Sequence, residues 1–333
     1  MTSSSRALAL LSCVLPLALA APARADPGAP AKASASELVD ALNGVFGKQP
    51  DARAVHAKGI VLEGSFTPSA QARSISKAIH LQDKPVAATV RFSDFAGIPN
   101  IPDNDPLANP RGLAIKFHLP DGSDSDIVAH SFNGFPSATA DDFRDLLNAL
   151  AASGPKAPKP TALDAYLGAH PVAKTFLTTQ KPAPVSFATV PFYGVNTFRF
   201  INAKGDVTFG RYQFIPVAGA RYLAPEQVAR KAPDYLQDEI VERVKQGPVK
   251  FRFLVQVAEK GDKIDDPSIA WPDSRKTVEL GILSIDRPSP DTVAASKALL
   301  FIPGAVPAGI EPEDPMIALR SGSYPVSFAR RHQ

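Results

Sequence analysis

The chain has 333 residues and carries 36 Lys and Arg against 33 Asp and Glu, a formal net charge of +3 that does not suit a polyanionic nucleic-acid partner. Its single cysteine, Cys13, cannot build an intramolecular disulfide framework or a cysteine-rich zinc site. The length suffices for one large domain or two small ones.

The N-terminus reads as a secretory signal peptide. A polar start carries Arg6, an apolar run extends from Ala7 to Ala21, and Ala23-Arg24-Ala25 precedes Asp26, so cleavage is expected after Ala25. Pro16 and a length of about 15 residues, against the roughly 20 a bilayer needs, set this run apart from a membrane anchor. A lipoprotein site at Leu11-Ser12-Cys13 would leave too short an apolar stretch before the cysteine. Cleavage removes Cys13, leaving no thiol to act as nucleophile, zinc ligand or iron ligand; without Arg6 and Arg24 the 36 basic side chains become 34. The expected location is exported, periplasmic or secreted. Residues 26–35 are small and Pro/Ala-rich and read as a flexible lead-in, with the folded domain spanning 36–333.

A short amphipathic helix is predicted from Ser36, its N-cap, to Gly44 or Gly47. Strands follow at 54–66, 87–95, 112–119, 126–132, 196–202, 207–215, 249–259 and 278–285, with Ala203-Lys204-Gly205-Asp206 as a hairpin turn. Helices are predicted at 138–153, capped by Thr139, at 225–247, and at 314–331, where Asp314-Pro315 is a helix start. No repeat recurs, and the 33 prolines imply fixed turns between apolar strands. The pattern is α+β, an antiparallel closed β-barrel core with surrounding helices.

Three groups of residues could carry chemistry. Asp121, Asp124 and Asp126 are spaced like calcium ligands but lack the glycine and closing glutamate of such a loop, so a solvated turn is expected. His118 and His130 lie in adjacent strands without a metal-ligand spacing. On the C-terminal helix, Arg320 and Tyr324 stand one turn apart on one face and Arg331 two turns further on, with Pro325 expected to bend the helix. A guanidinium beside a phenol oxygen stabilises negative charge there, and an anionic oxygen is a hard ligand suited to ferric iron. Alone, such a pair is common on helix surfaces.

The wording around these residues resembles the catalase family. Gly309-Ile310-Glu311-Pro312 followed by Arg320, Tyr324-Pro325 and Arg331 is similar to the catalase proximal helix; Arg53-Ala54-Val55-His56-Ala57-Lys58-Gly59 is similar to its distal signature. Val90-Arg91-Phe92-Ser93 and Asn109-Pro110-Arg111-Gly112-Leu113-Ala114-Ile115-Lys116-Phe117 match two further motifs, and smaller matches stand at Asn196-Thr197-Phe198, Asp266-Pro267, Trp271-Pro272 and Phe301. They arrive in the family's order along nearly the whole exported chain. The resemblance implies haem b as cofactor and Tyr324 as the axial ligand to its iron, supported by Arg320. It implies His56 as the distal acid–base, oriented by Ser93, contacts to the propionates from Arg53, Arg91 and Arg331, and packing against the haem by Val55, Phe135 and Phe143.

One departure bears on the reaction. Where catalases place a distal asparagine after Asp-[Leu/Ile]-Val-Gly, this chain has Asp126-Ile127-Val128-Ala129-His130, and the nearest asparagine is Asn133. His130 and Asn133 are therefore both candidates for that place, although a shift of three residues in a strand reverses the face. Loss of the amide should hurt disproportionation, which must position a second peroxide, more than peroxidatic turnover. The short flanks of the domain imply easy access for bulky donors. The expected activity is thus a haem peroxidase reducing hydrogen peroxide or organic hydroperoxides with an organic electron donor, and weak catalase activity at most. Alternatives are a fatty-acid hydroperoxide isomerase or dehydratase, and a non-enzymatic exported haem-binding protein. Stable membrane insertion after signal removal is not expected; a homodimer is the assembly to look for.

Overall fold

The computed structural model describes residues 32–333 apart from Gln180, so the leader and most of the lead-in lie outside the described residues. Ala33–Gln333 forms one compact unit. Its centre is a barrel of β1 (Gly59–Pro68), β2 (Val86–Ser93), β3 (Gly112–His118), β4 (Asp124–His130), β5 (Phe192–Ile201), β6 (Val207–Pro216), β7 (Val249–Val257) and β8 (Thr277–Pro288). The strands are antiparallel in the order β4-β3-β2-β1-β8-β7-β6-β5, and the bridge His130↔Tyr193 joins β4 to β5 and closes the ring. β9 (Ile310–Pro312) pairs with β5.

Closure follows from alternation. On β2, Val86, Ala88, Val90 and Phe92 point into the barrel, and Arg91 and Ser93 point out. The interior is rich in fully buried phenylalanine: Phe66, Phe92, Phe117, Phe192, Phe214, Phe251 and Phe253, with Phe214 and Phe253 stacked at 4.5 Å between centroids. Each such ring contributes about 1.5–3 kcal/mol by leaving water. Register shifts in the β1–β8, β5–β6 and β7–β8 ladders supply the curvature.

Around the barrel lie α1 (Ala35–Phe46), α2 (Ala72–Ile75), α3 (Ala140–Ala151), α4 (Ala162–Ala169), α5 (Pro171–Thr178), α6 (Pro225–Val228), α7 (Tyr235–Gln246), α8 (Thr292–Ala298) and α9 (Met316–Arg330). No helix among the described residues is long and apolar enough to cross a membrane.

Several boundaries differ from those read in the sequence. α1 is capped by Ser34, not Ser36, because Glu37 stands three residues after Ser34 and closes a capping box with it. The lead-in therefore ends before Ala35. The predicted helix at 225–247 is interrupted by the turn around Pro233. Helices α2, α4, α5 and α8 and strand β9 carry no signal that the sequence reading picked up. In α9, the Asp314 carboxylate accepts from the Met316 N–H at 2.8 Å, as a cap should, and the helix continues through Pro325. Asp126 is not solvated: it is buried, 2.7 Å from Lys116 Nζ, and accepts from the Ile302 N–H. His118 and His130 sit at opposite ends of the β3–β4 ladder and cannot share a metal.

Candidate functional site

A cavity of about 110 Å³ lies on the outer face of β2, β3 and β4, under α1 and α9. It exists because the outward-facing residues of β3 and β4 there are small or apolar, Gly112, Ala114 and Val128, instead of the polar residues a solvated barrel face would carry. His56, Ser93, Arg53, Arg91, Tyr324 and Arg331, six residues read from three separate motifs, all open onto it, as does Val55.

His56 is on the segment before β1, not on a strand. Its N–H donates to Phe95 O, the next N–H, from Ala57, donates to Ala96 O, and its backbone takes φ 55°. A non-glycine residue in that left-handed region is strained. The ring Nδ1 lies 3.1 Å from both Asp94 O and Ser93 Oγ. A carbonyl can only accept, so Nδ1 carries the proton and Nε2 presents its lone pair. Burial, reinforced by Arg91, pushes the pKa of His56 down to about 3, so the ring is neutral at working pH. Phe95 holds it edge-on at 5.4 Å.

Gly112 makes this pairing possible. A Cβ there would stand 2.4 Å from Ser93 Oγ and 2.6 Å from His56 Nδ1.

At the other end of the cavity three guanidiniums crowd together without a carboxylate partner among the described residues. Arg53 donates to Ser296 Oγ and to the carbonyls of Ser296 and Leu299, Arg91 to Ser296 Oγ and Ala57 O, and Arg331 to the carbonyls of Lys297 and Leu299. Burial lowers the pKa of Arg91 to about 9 and of Arg331 to about 10; that of Arg53 falls through burial and through the other two cations. Arg331 Nε is buried with no acceptor at all. Buried cations left unpaired are costly, and an anion with more than one carboxylate would relieve them.

Tyr324, on α9, accepts from Arg320 at 3.0 Å. Arg320 in turn donates to Asn196 Oδ1, and the Asn196 amide donates to Asp314 Oδ2 at 2.8 Å. Asn196 reaches α9 because the β5–β6 register shifts between Gly194 and Phe198. A phenol oxygen fixed by a cation, apolar walls from Val39, Leu42, Val55 and Phe301, and a cluster of unpaired arginines fit a flat apolar macrocycle with two carboxylates and a central ferric ion. Tyr324 would hold the iron, and Arg53, Arg91 and Arg331 the propionates.

The remaining sequence candidates divide. His130 ends β4 beside the cavity. Asn133 lies beyond the strand and lines a separate hollow with Phe135, Pro171 and Phe176, so it is not brought to the site. Phe135 and Phe143 pack against each other at 4.9 Å with their rings tilted, but neither lines the cavity; Phe143 faces a neighbouring groove and packs behind α1 and Val55. An ungapped count along the chain could not foresee that the loop after His130 turns away. Gly112 and Asn196 stood inside quoted motifs without a role, and Ser296 carried no sequence signal, since its contacts are with residues more than 200 positions away.

The family model described as catalase matches residues 24–332. A catalase-related peroxidase of Mycolicibacterium paratuberculosis is 38% identical over 299 residues, covering 89% of this chain and 94% of its own. One from Synechococcus elongatus is 29% identical over 330 residues, covering 98% and 95%. Among solved structures, catalase A of Saccharomyces cerevisiae superposes with a TM-score of 0.75 at 20% identity over 88% of this chain, which spans 64% of that longer protein.

Proposed function

The chain belongs to the catalase family, and on that premise we propose that it is an exported haem-b peroxidase, reducing hydrogen peroxide or organic hydroperoxides at the expense of an organic electron donor. The observation that carries this reading is His56: a strained backbone and a fixed Nδ1–H keep an unprotonated Nε2 at the cavity. A protein that only carried haem would need Tyr324 and the arginines but not a strained base.

Haem, when bound, would supply the iron that receives the peroxide and would hold the two oxidising equivalents that come from the peroxide until the donor quenches them. The chain's own residues handle protons. His56 Nε2 takes the proton from the inner peroxide oxygen and delivers it to the outer one, which leaves as water when the O–O bond breaks. Asp94 O and Ser93 hold the ring in one tautomer throughout. Two donor molecules then return two electrons and two protons, releasing the second water.

Neither Asn133 nor any other amide lines the cavity among the described residues, which favours donor oxidation over disproportionation. Purified haem-loaded protein should therefore oxidise phenolic or diamine donors with hydrogen peroxide and with cumene hydroperoxide, yielding cumyl alcohol, faster than it evolves oxygen. Rapid oxygen evolution without donor oxidation would overturn the reading, and an epoxide or oxo product from a lipid hydroperoxide would replace it with an isomerase or dehydratase.

A further inference from the structure

Peroxidatic turnover needs an organic donor, and the cavity around His56 gives it no place of its own. A groove of about 740 Å³ lies beside that cavity, bounded by α1, α3, the end of α5 and the short turn Pro106–Ala108. Small-molecule sites occupy roughly 300–1,000 Å³, so the groove has room for a bulky organic molecule. Its walls are apolar and aromatic, among them Phe46, Phe95, Phe143, Leu147, Leu150 and Phe176.

The groove and the cavity share no lining residue. One layer of side chains separates them. The Phe95 ring stands edge-on to His56 at 5.4 Å, and Leu147 packs in one cluster with Leu42 and Ala54, which line the cavity. A peroxide has to touch the iron to be cleaved, so a molecule held in the groove is not placed to be cleaved. A donor has only to come close, because an electron crosses a layer of packed side chains and an oxygen atom does not. The position suits the reducing substrate.

Charge narrows the donor further. Lys181 lines the groove, and its ammonium donates to two neutral carbonyls, Phe176 O and Thr179 O, with the Phe132 and Phe176 rings 4.4 and 4.6 Å away. Burial lowers its pKa, and no carboxylate among the described residues raises it. The two carboxylates on the lining are engaged elsewhere: Asp103 with Lys58, and Asp105 as the cap that accepts from the Leu107 N–H. A half-buried cation among aromatic rings and without a counter-ion favours an aromatic molecule that carries a negative group.

We infer that this groove binds the electron donor, and that the donor is a phenol bearing a carboxylate, its ring against the phenylalanine walls and its carboxylate on Lys181. The inference rests on the peroxidase reading and names the substrate class which that reading leaves open. Each donor molecule loses one electron and its phenolic proton and leaves as a phenoxyl radical. Two molecules supply the two electrons and two protons that release the second water.

The test compares para-hydroxyphenylacetate with para-hydroxyphenylacetamide, the same phenol without the charge, as donors for haem-loaded wild type, Lys181→Glu and Leu150→Trp. Each rate is divided by the same protein's rate of peroxide cleavage. Wild type should prefer the carboxylate about tenfold in kcat/KM, and Lys181→Glu should abolish or reverse that preference through KM and not kcat. Leu150→Trp, which fills the groove, should raise KM for both donors about tenfold. The inference is overturned if wild type does not prefer the carboxylate, if Lys181→Glu keeps the preference, or if Leu150→Trp leaves both KM values unchanged. Should wild type cleave no peroxide, the peroxidase reading falls instead. Calorimetric titration of para-hydroxyphenylacetate into wild type and Lys181→Glu then still decides the groove: weaker binding to the variant supports it, and equal affinity overturns it.

Discussion

At His56, backbone strain of about 1–3 kcal/mol is held by two backbone hydrogen bonds to Phe95 and Ala96. Its pKa near 3 lies below the ordinary histidine value near 6.5 because the ring is enclosed beside Arg91. The ring is therefore a competent neutral base from about pH 8 down to about pH 5, and the rate constant for reaction with peroxide should be flat across that range. An inflection near pH 6.5 would contradict this. His56→Ala should keep haem and slow peroxide cleavage by about 10²- to 10⁴-fold in stopped-flow measurements; an unchanged rate would remove His56 from the chemistry. The same shift has a stability sign. A histidine kept neutral in the fold contributes fully above its unfolded pKa and loses about 1.4 kcal/mol per pH unit as pH falls from about 6.5 toward 3. The residue types were legible because each belongs to a contiguous motif. The left-handed backbone at His56 was not, since a run of apolar and small residues around it reads as strand.

Between elements, the site depends on how closely β2, β3 and the segment before β1 approach. Gly112 sets that distance, with no room for a methyl group between Ser93 Oγ and the His56 ring. Gly112→Ala should displace the ring, slow peroxide cleavage at least tenfold and leave haem content unchanged; full activity in the variant would show that Ser93 and His56 need not touch. On the proximal side, Asp314, Asn196 and Arg320 tie β5 to the phenol oxygen on α9. Asp314 was readable as a cap, because Asp-Pro before an apolar run is a local signal. Its second task was not, since it depends on a register shift in β5 that leaves no trace in residue spacing. The same limit explains Phe135 and Phe143: their spacing matched a haem-packing role, but the chain's path after β4 leaves neither ring in the cavity lining, Phe135 facing one neighbouring hollow and Phe143 another.

Across the whole molecule, the closed eight-stranded barrel was readable from alternating apolar residues and aromatic content, whereas the residue pair that closes it, His130 and Tyr193, is announced by no local pattern. The distal side is anchored by an ionic network: Lys58 contacts the buried Asp103 at 2.6 Å and the exposed Asp234, just before α7, at 2.7 Å, and the buried Arg111 pairs with Asp94. Burial pushes the Asp94 carboxyl up to about 7, against the pull of Arg111. That network sits directly behind the carbonyl that orients His56, so the base is fixed by the body of the fold and not by its own loop. The cavity, the three unpaired arginines and Tyr324 together make haem ligation the claim on which everything else depends. The most direct measurement is the absorbance spectrum of wild type and Tyr324→Phe after reconstitution with haem. A Soret band with high-spin ferric, phenolate-ligated character in wild type, lost together with tight haem retention in Tyr324→Phe, is the expected result; no Soret band in wild type, or the same spectrum in both proteins, would contradict it.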